Sequence, residues 1–521
     1  MKKLLLFFIF LGIVVGLIFG YKALSETNIE EGEIEPVVTD EIINYELNLP
    51  ISDIDTLNPL RTQNSHIIDL MKLVYEPLFS YNEEYQIEPC LVSEYAKKDE
   101  LTWMIKLKDN VLWHGGEKFS SNDVKYTLDL LINNEIDSAY IKNVRNIESV
   151  EIADSKTVII KLLEEEPYFI SNLTFPILPE YYFKAEGILD EEKANHMIGT
   201  GPYMYESSND SVIRLVANDN WHTQQEIKLS KINLRIYATY GEAIKGFKSS
   251  EVDMMFTNMH NWKEKFGFIG INSYNFESNT YDVIIPNTEN VLLNSPEVRK
   301  AILYAINRDD IITKVYDGNA TISDLPITSN SKNYSTSLEY NYENARQLLL
   351  KEGYENIGNE WIKDKKKLNF TLIVPENDEE KIKCAEIIKQ YLSEININIT
   401  VKKQKWIDYE KNINSGKFDL ALASLEIQNE YQIQKLVHSN NNNNFARYSN
   451  EEVDQIINEL ENSSDDAYIA NMKLFIDLYK EELPYIGLFY EDDILLSNKS
   501  VKGQYESTSY NPYRNIINFS K

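Results

Sequence analysis

Between Leu101 and Leu131 the hydrophobic period changes, and that change restricts the fold more than any other feature of the chain. Leu101, Trp103, Ile105 and Leu107 alternate with Thr102, Met104, Lys106 and Lys108, the period of a strand with one buried face. Asp109-Asn110 supplies turn chemistry, Val111-Leu112-Trp113 reads as a second short strand, and His114-Gly115-Gly116 ends it. Ser120 and Asp123 then have capping-box spacing, and Val124, Thr127, Leu128 and Leu131 follow at helical intervals. Further on, Leu368 to Val374 reads as a strand, Glu380 to Leu392 as a helix and Ile395 to Val401 as a strand. That β-α-β order requires a parallel pair, so the chain is read as α/β.

Its 521 residues exceed what one core holds, which predicts two or three lobes. With 52 Lys+Arg against 82 Asp+Glu, the net charge of −30 opposes nucleic acid and anionic lipid. The two cysteines, Cys90 and Cys384, are too few for a disulfide framework and are expected as free, buried thiols in different lobes. None of the six histidines has H-x-x-x-H or H-E-x-x-H spacing, so no metal site is read. There is no G-x-S-x-G elbow, and Gly199-Thr200-Gly201 lacks the lysine of a phosphate loop. No Asp/Glu pair stands out for glycoside chemistry. No cofactor and no enzymatic activity are expected. At the N-terminus Lys2-Lys3 precede an uncharged apolar run from Leu4 to Phe19, which fits both a cleaved signal and an uncut membrane anchor. The acidic stretch from Ser25 to Asp40 reads as a flexible tether.

Several short motifs stand in order along the chain. Ile51-Ser52-Asp53 leads to Leu57-Asn58-Pro59, and Tyr75-Glu76-Pro77-Leu78 follows a helix predicted from near Ser65 to Pro77. In Gly199-Thr200-Gly201-Pro202-Tyr203 the two glycines are expected to supply φ freedom for a tight turn. Val298-Arg299-Lys300-Ala301 continues to Tyr304-Ala305-Ile306-Asn307-Arg308, with Arg299 expected in a structural role. Gly416-Lys417-Phe418-Asp419-Leu420 and Leu483-Pro484-Tyr485-Ile486 complete the set. Together with the Leu101–Leu131 stretch, and in this order, these motifs resemble the family 5 solute-binding proteins, the extracytoplasmic receptors of peptide and nickel ABC importers. The resemblance runs from about Asn48 to the C-terminus.

The resemblance implies a type II periplasmic-binding-protein fold, with two hinged α/β lobes and a discontinuous first lobe carrying an extra subdomain. The expected boundaries are 1–24 for the signal or anchor helix and 25–41 for the tether. Lobe I spans 42–283, with 42–59 and 197–283 as its core and 60–196 as the subdomain; lobe II spans 284–487, and 488–521 returns to lobe I. Ile284, Ile285, Pro286 and Asn287, with Pro484, Tyr485 and Ile486, are expected to form the hinge. The ligand side implied is Ile51, Ser52 and Asp53 on the cleft floor, Trp406 as an aromatic wall, and Leu425, Glu426, Gln428 and Glu430. In peptide receptors of the family a Trp and an Asp stand where this chain has Leu425 and Gln428, and that Asp pairs with the peptide ammonium. Gln428 has no charge for this, which leaves Glu426 or Glu430, or a different solute.

The implied function is capture of a peptide or peptide-like solute for an ABC permease and its ATPase subunits. The implied protein is a monomer outside the cytoplasm, held to the cell membrane through its N-terminal helix or secreted after cleavage. It has no lipobox cysteine, since its first Cys is residue 90. The alternatives are a receptor for a nickel chelate, a sugar or a signalling peptide, or a surface-anchored sensor or hydrolase.

Overall fold

A computed structural model of the chain describes residues 45–521 except 167, 185–186, 224, 268, 330, 332–337, 428–430 and 462–464. The expected anchor helix, the tether, Gln428 and Glu430 lie outside the described residues. Among the described residues no helix is long and apolar enough to cross a membrane.

The first strand, Tyr45–Ser52, buries Leu47, Leu49 and Ile51 on one face and pairs in parallel with Leu229–Tyr237. Val212–Ala217 and Tyr203–Asn209 extend that sheet in antiparallel fashion. A separate antiparallel sheet has the order Val92–Asp99, Thr102–Leu107, Thr157–Leu162, Ile147–Asp154. The predicted strand at 101–107 is therefore present, but its partners are Val92–Asp99 and Thr157–Leu162. Val111–Trp113 is not a second strand: only a single bridge, Leu112 to Lys118, closes that turn. Val111 and Trp113 are apolar because both are buried in the core. The helix that follows, Ser121–Ile132, starts from the expected capping box, with Ser120 N donating to Asp123 Oδ2 at 2.9 Å. The earlier helix ends at Met71, ahead of Pro77, because its last turn is closed at Lys72 by bonds to Asp69 and Leu70.

The third sheet is seven-stranded, with the main order Met254–Thr257, Ile486–Asn498, Ile271–Pro286, Leu420–Glu426, Asn369–Pro375, Asn398–Gln404. Asn369–Pro375 and Asn398–Gln404 are parallel and joined by the helix Glu379–Glu394, as the β-α-β pattern requires. Two strands of this sheet are unusually long, Ile271–Pro286 with 16 residues and Ile486–Asn498 with 13. At one end they bury Phe276 and Leu495 in a core shared with Leu47, Trp103 and Phe519. At the other, Ile284 and Ile486 join a core with Ile302, Leu349 and Leu392. Between the two ends the ladder is broken: Glu277 pairs with Asp492 and Tyr281 with Tyr490, so Ser278, Asn279 and Thr280 face Glu491 alone. Such a bulge disrupts the ladder and bends the strand.

Arg299 is 1% exposed and donates to the backbone carbonyls of Leu293, Asn294, Glu482 and Leu483. It ties the helix Pro296–Tyr304 to the chain just before Ile486–Asn498. Both cysteines are free; Cys384 is buried, but Cys90 is partly exposed, because its side chain lies at the wall of a cavity.

Candidate functional site

The turn at Gly199–Tyr203 packs against the chain that enters Tyr75-Glu76-Pro77. Gly201 N donates to Val74 O at 2.9 Å, and Tyr203 N to Leu73 O at 3.0 Å. His114 braces the turn from the other side: Gly199 N donates to its Nδ1 at 3.2 Å, and its Nε2 lies 3.0 Å from Gly201 O. Burial lowers the His114 pKa to about 4, which keeps the ring neutral. With Nδ1 accepting, the proton sits on Nε2 and Gly201 O accepts it. The glycines serve close approach rather than φ freedom, since neither has a positive φ.

This arrangement presents Tyr75 and Glu76 to a cavity of about 1430 Å³. The buried Glu76 carboxylate accepts from Trp221 Nε1 at 3.0 Å and sits 3.0 Å from His222 Nε2. Tyr140 and Tyr168 line the cavity from the chain that follows the helix Ser121–Ile132, and Tyr510 from the C-terminal segment. Gln434 and Lys435 line it from the helix Tyr431–Val437, which belongs to the second half of the chain. Asn279, in the bulge of the long strand, lines it as well. The cavity is therefore bounded by parts of the chain that pack into different cores, next to the break in the ladder between the two long strands.

The predicted ligand residues reach different places. Leu425 pairs with Tyr281 and Glu426 with Thr280, and Ile427 N donates to Asn279 O at 2.8 Å. That segment therefore abuts the bulge that lines the cavity. Ile51 and Ser52 are buried, and the exposed Asp53 has a φ of 52°. Asn64 Nδ2 donates to the carbonyls of Ser52 and Asp53, ahead of the helix that carries Ile68 to the cavity. Trp406 is 63% exposed at the start of the helix Trp406–Asn414 and packs on Tyr409, away from the cavity lining. Of the expected hinge residues, Ile284 pairs with Ile486 across the two long strands, followed in one by Ile285 and Pro286 and preceded in the other by Pro484 and Tyr485. Asn287 Nδ2 donates to Gly416 O and Phe418 O.

Sequence reasoning passed over a buried charge network beside the same strands. Asp282, fully buried, accepts from Lys381 Nζ and Tyr316 OH, each at 2.7 Å, and from Ser424 Oγ at 2.8 Å. Lys381 also reaches Glu491 at 3.0 Å. Burial opposes the Lys381 charge, but Asp282 and Glu491 outweigh it and raise the pKa. His260 lies 3.3 Å from Glu380 and 3.6 Å from Glu491. Burial of His260 works against its charge, yet the Glu380 bond and the Glu491 and Glu380 charges prevail over Lys381, and the pKa is raised. The only sequence signal was charge within strands that read as apolar, at Asp282 and Glu491.

A raised His260 pKa fixes the sign of its pH dependence. Its contribution is complete below the ordinary value near 6.5 and is lost as pH rises through the higher folded value. His260→Gln is expected to lower stability at pH 6 by on the order of 1 kcal/mol, with the deficit shrinking by pH 9. Thermal melts of the two proteins at both pH values check this; an equal deficit at each would dismiss the charged state of His260. Asp492 and Asp493 also face the imidazole, and both carry raised pKa values, so the comparison is made between variants at each pH.

The model of the bacterial extracellular solute-binding proteins, family 5 Middle, matches residues 86–444. The chain is 22% identical over 485 residues to the oligopeptide-binding protein AppA of Bacillus subtilis, covering 89% of this chain and 88% of that one. It is 24% identical over 447 residues to the nickel-binding protein NikA of Staphylococcus aureus, covering 82% and 85%. Among solved structures, the unliganded open form of the murein tripeptide-binding protein MppA superposes with a TM-score of 0.79 at 19% identity, covering 92% of this chain and 97% of that one. A nickel ABC transporter structure from Bacillus halodurans gives 0.78 at 21% identity, covering 91% and 99%. The fold shared with these structures is the type II periplasmic-binding-protein fold expected from the sequence. On the match across residues 86–444, the chain belongs to the bacterial extracellular solute-binding proteins of family 5.

Proposed function

We propose that the protein captures a peptide or peptide-like solute between two lobes and delivers it intact to an ABC permease driven by ATPase subunits. The observation that carries this reading is the cavity beside the crossing strands. At about 1430 Å³ it exceeds the ~300–1,000 Å³ usual for small-molecule sites, and it suits an extended solute of several residues. Its tyrosines offer apolar faces with polar tips, and Asn279, Gln434 and Lys435 offer side-chain partners to a peptide backbone. The oligopeptide-binding relative supports the same solute class.

In this reading lobe I is 42–283 with 60–196 inserted, lobe II is 284–487, and 488–521 returns to lobe I. The division of Phe276 and Ile284 between separate cores supports it. Closure turns about Ile284–Asn287 and Pro484–Ile486, with the bulge at Ser278–Thr280 taking up the bend. Leu425 and Glu426 stand on the lobe II side of the cleft, and Gln428 and Glu430 are assigned to the ligand from the sequence alone. The protein acts as a monomer outside the cytoplasm, tethered or released at its N-terminal segment, and it breaks no bonds in its solute.

Native mass spectrometry of the protein with its co-purified solute tests the reading. An adduct in the mass range of a short peptide, recovered intact after denaturation, is the expected result. A cleaved product, or an adduct carrying nickel or sugar, would replace it with one of the alternatives.

A further inference from the structure

His260 sits on a seam between two cores of the protein. Met254–Thr257 and Ala320–Ile322 lie end to end along one edge of the long strand Ile486–Asn498: Thr257 pairs with Ile494, and Ala320 with Glu491. The other edge of that strand pairs with Ile271–Pro286. Met255 and Trp262 belong to a core with Phe247 and Leu496, whereas Ala320 and Ile322 pack on the core that holds Ile302, Leu349 and Leu392. His260, 6% exposed, joins the two sides. Its carbonyl accepts from Asn319 Nδ2 at 2.8 Å, and its ring packs edge-on against Tyr316 with the centroids 4.8 Å apart.

The ring also makes a charged link across the seam. Nδ1 lies 3.3 Å from Glu380, at the start of the helix Glu379–Glu394, and Nε2 lies 3.6 Å from Glu491. A neutral imidazole has a single N–H, so only the imidazolium can serve carboxylates at both nitrogens. Lys381, on the same helix, repels it, while Asp492 and Asp493 on Ile486–Asn498 attract it. Asp282, on Ile271–Pro286, is held by Lys381. Burial opposes the charge on His260, but the Glu380 bond and the Glu491 charge outweigh it and raise the pKa; the same bond lowers that of Glu380. The cavity is lined by Asn279, on the other long strand, and by none of these residues. The seam therefore lies on the far side of Ile486–Asn498 from the cavity.

We propose that the His260–Glu380 pair is a proton-sensitive tie across this seam, which resists closure of the cleft while the imidazole is charged and yields as it becomes neutral. This rests on the two-lobe reading above and adds a control to it. A rotation that brings the lobes together on the cavity side must part them on the far side of the long strands, so a bond made there works against closure. Loss of the imidazole proton removes the charge and one of the two donors, and leaves Glu380 and Glu491 without a cation between them. The protein then holds its solute more tightly as pH rises and releases it more readily as its surroundings acidify.

Small-angle scattering from the solute-free protein between pH 6 and pH 9 tests this. The radius of gyration of the wild type is expected to fall as pH rises, through a midpoint above 6.5, because freed lobes close. Growing negative charge on a chain of −30 would act in the opposite direction, so the sign is diagnostic. His260→Gln is expected to give the smaller radius at every pH. Glu380→Gln should do the same, and its side chain is 45% exposed, so the replacement is accommodated in the fold. Addition of a tryptic digest of casein at pH 7.5 is the control for hinged lobes. A radius that falls with the digest but not with pH, or a pH response that survives in both variants, overturns the tie and leaves the two-lobe reading standing. A radius that answers to neither overturns both.

Discussion

Gly199→Ala is expected to cost more than about 4 kcal/mol, enough to leave little folded protein at 37 °C. A Cβ at this position would stand 1.8 Å from Val74 O and 3.1 Å from Tyr75 Cα. Both are backbone atoms, so no side-chain rotation relieves the overlap. The turn cannot retreat either, because His114 accepts from Gly199 N on its far side and Gly201 N is bonded to Val74 O. Relief requires Leu73–Glu76 to move, which would displace Tyr75 and Glu76 from the cavity. Gly116→Ala is the natural control: its φ of +92° is strained for alanine, but nothing lies within 4 Å of its added methyl. It should cost only about 1 kcal/mol. Urea unfolding of both variants, or failure of the first to accumulate in soluble form, checks the contrast. Equal costs would mean that φ, and not close approach, selects glycine at 199.

Lys381→Met should destabilise the protein by about 3–5 kcal/mol, because it leaves Asp282 charged, buried and without its cation. Tyr316 OH and Ser424 Oγ would still donate to Asp282, but neither brings a charge. Combining Lys381→Met with Asp282→Asn removes the stranded charge and should recover most of the loss, to within about 1–2 kcal/mol of the wild type. Chemical denaturation of the two single variants and the double variant forms the cycle. If the double variant is no more stable than Lys381→Met alone, the ion pair is not the source of the loss. The pair joins a crossing strand to the helix Glu379–Glu394, so the variants should also differ in how far the cleft opens, which small-angle scattering reads directly.

Much of the fold was legible as local pattern. The capping box at Ser120 and the parallel pair around Glu379–Glu394 follow from residue type and spacing over a few positions. Arg299 was read as structural, and four backbone carbonyls hold it. What misled was apolar character without a ladder partner. Val111–Trp113 has the composition of a strand, yet those side chains fill the core from a turn. Pro77 looked like a helix stop, but the helix had already ended at Met71. The cavity was the least legible part. Trp406 was an attractive aromatic in the sequence and stands in solvent, whereas Glu76 lay in a recognised motif with no sign that it meets Trp221.

The sequence by itself determined the α/β class of the chain and the order of its motifs, because periodicity, capping and turn chemistry act between near neighbours. Only the tertiary structure decided which residues meet: His114 with Gly199, Glu76 with His222, and Asp282 with Lys381. These pairs are about 85, 146 and 99 residues apart. Over such separations one residue's type carries no record of its partner. Charges and close contacts at the site are set by the packing of whole sheets, and a buried group shows whether it is satisfied only once the chain around it is in place.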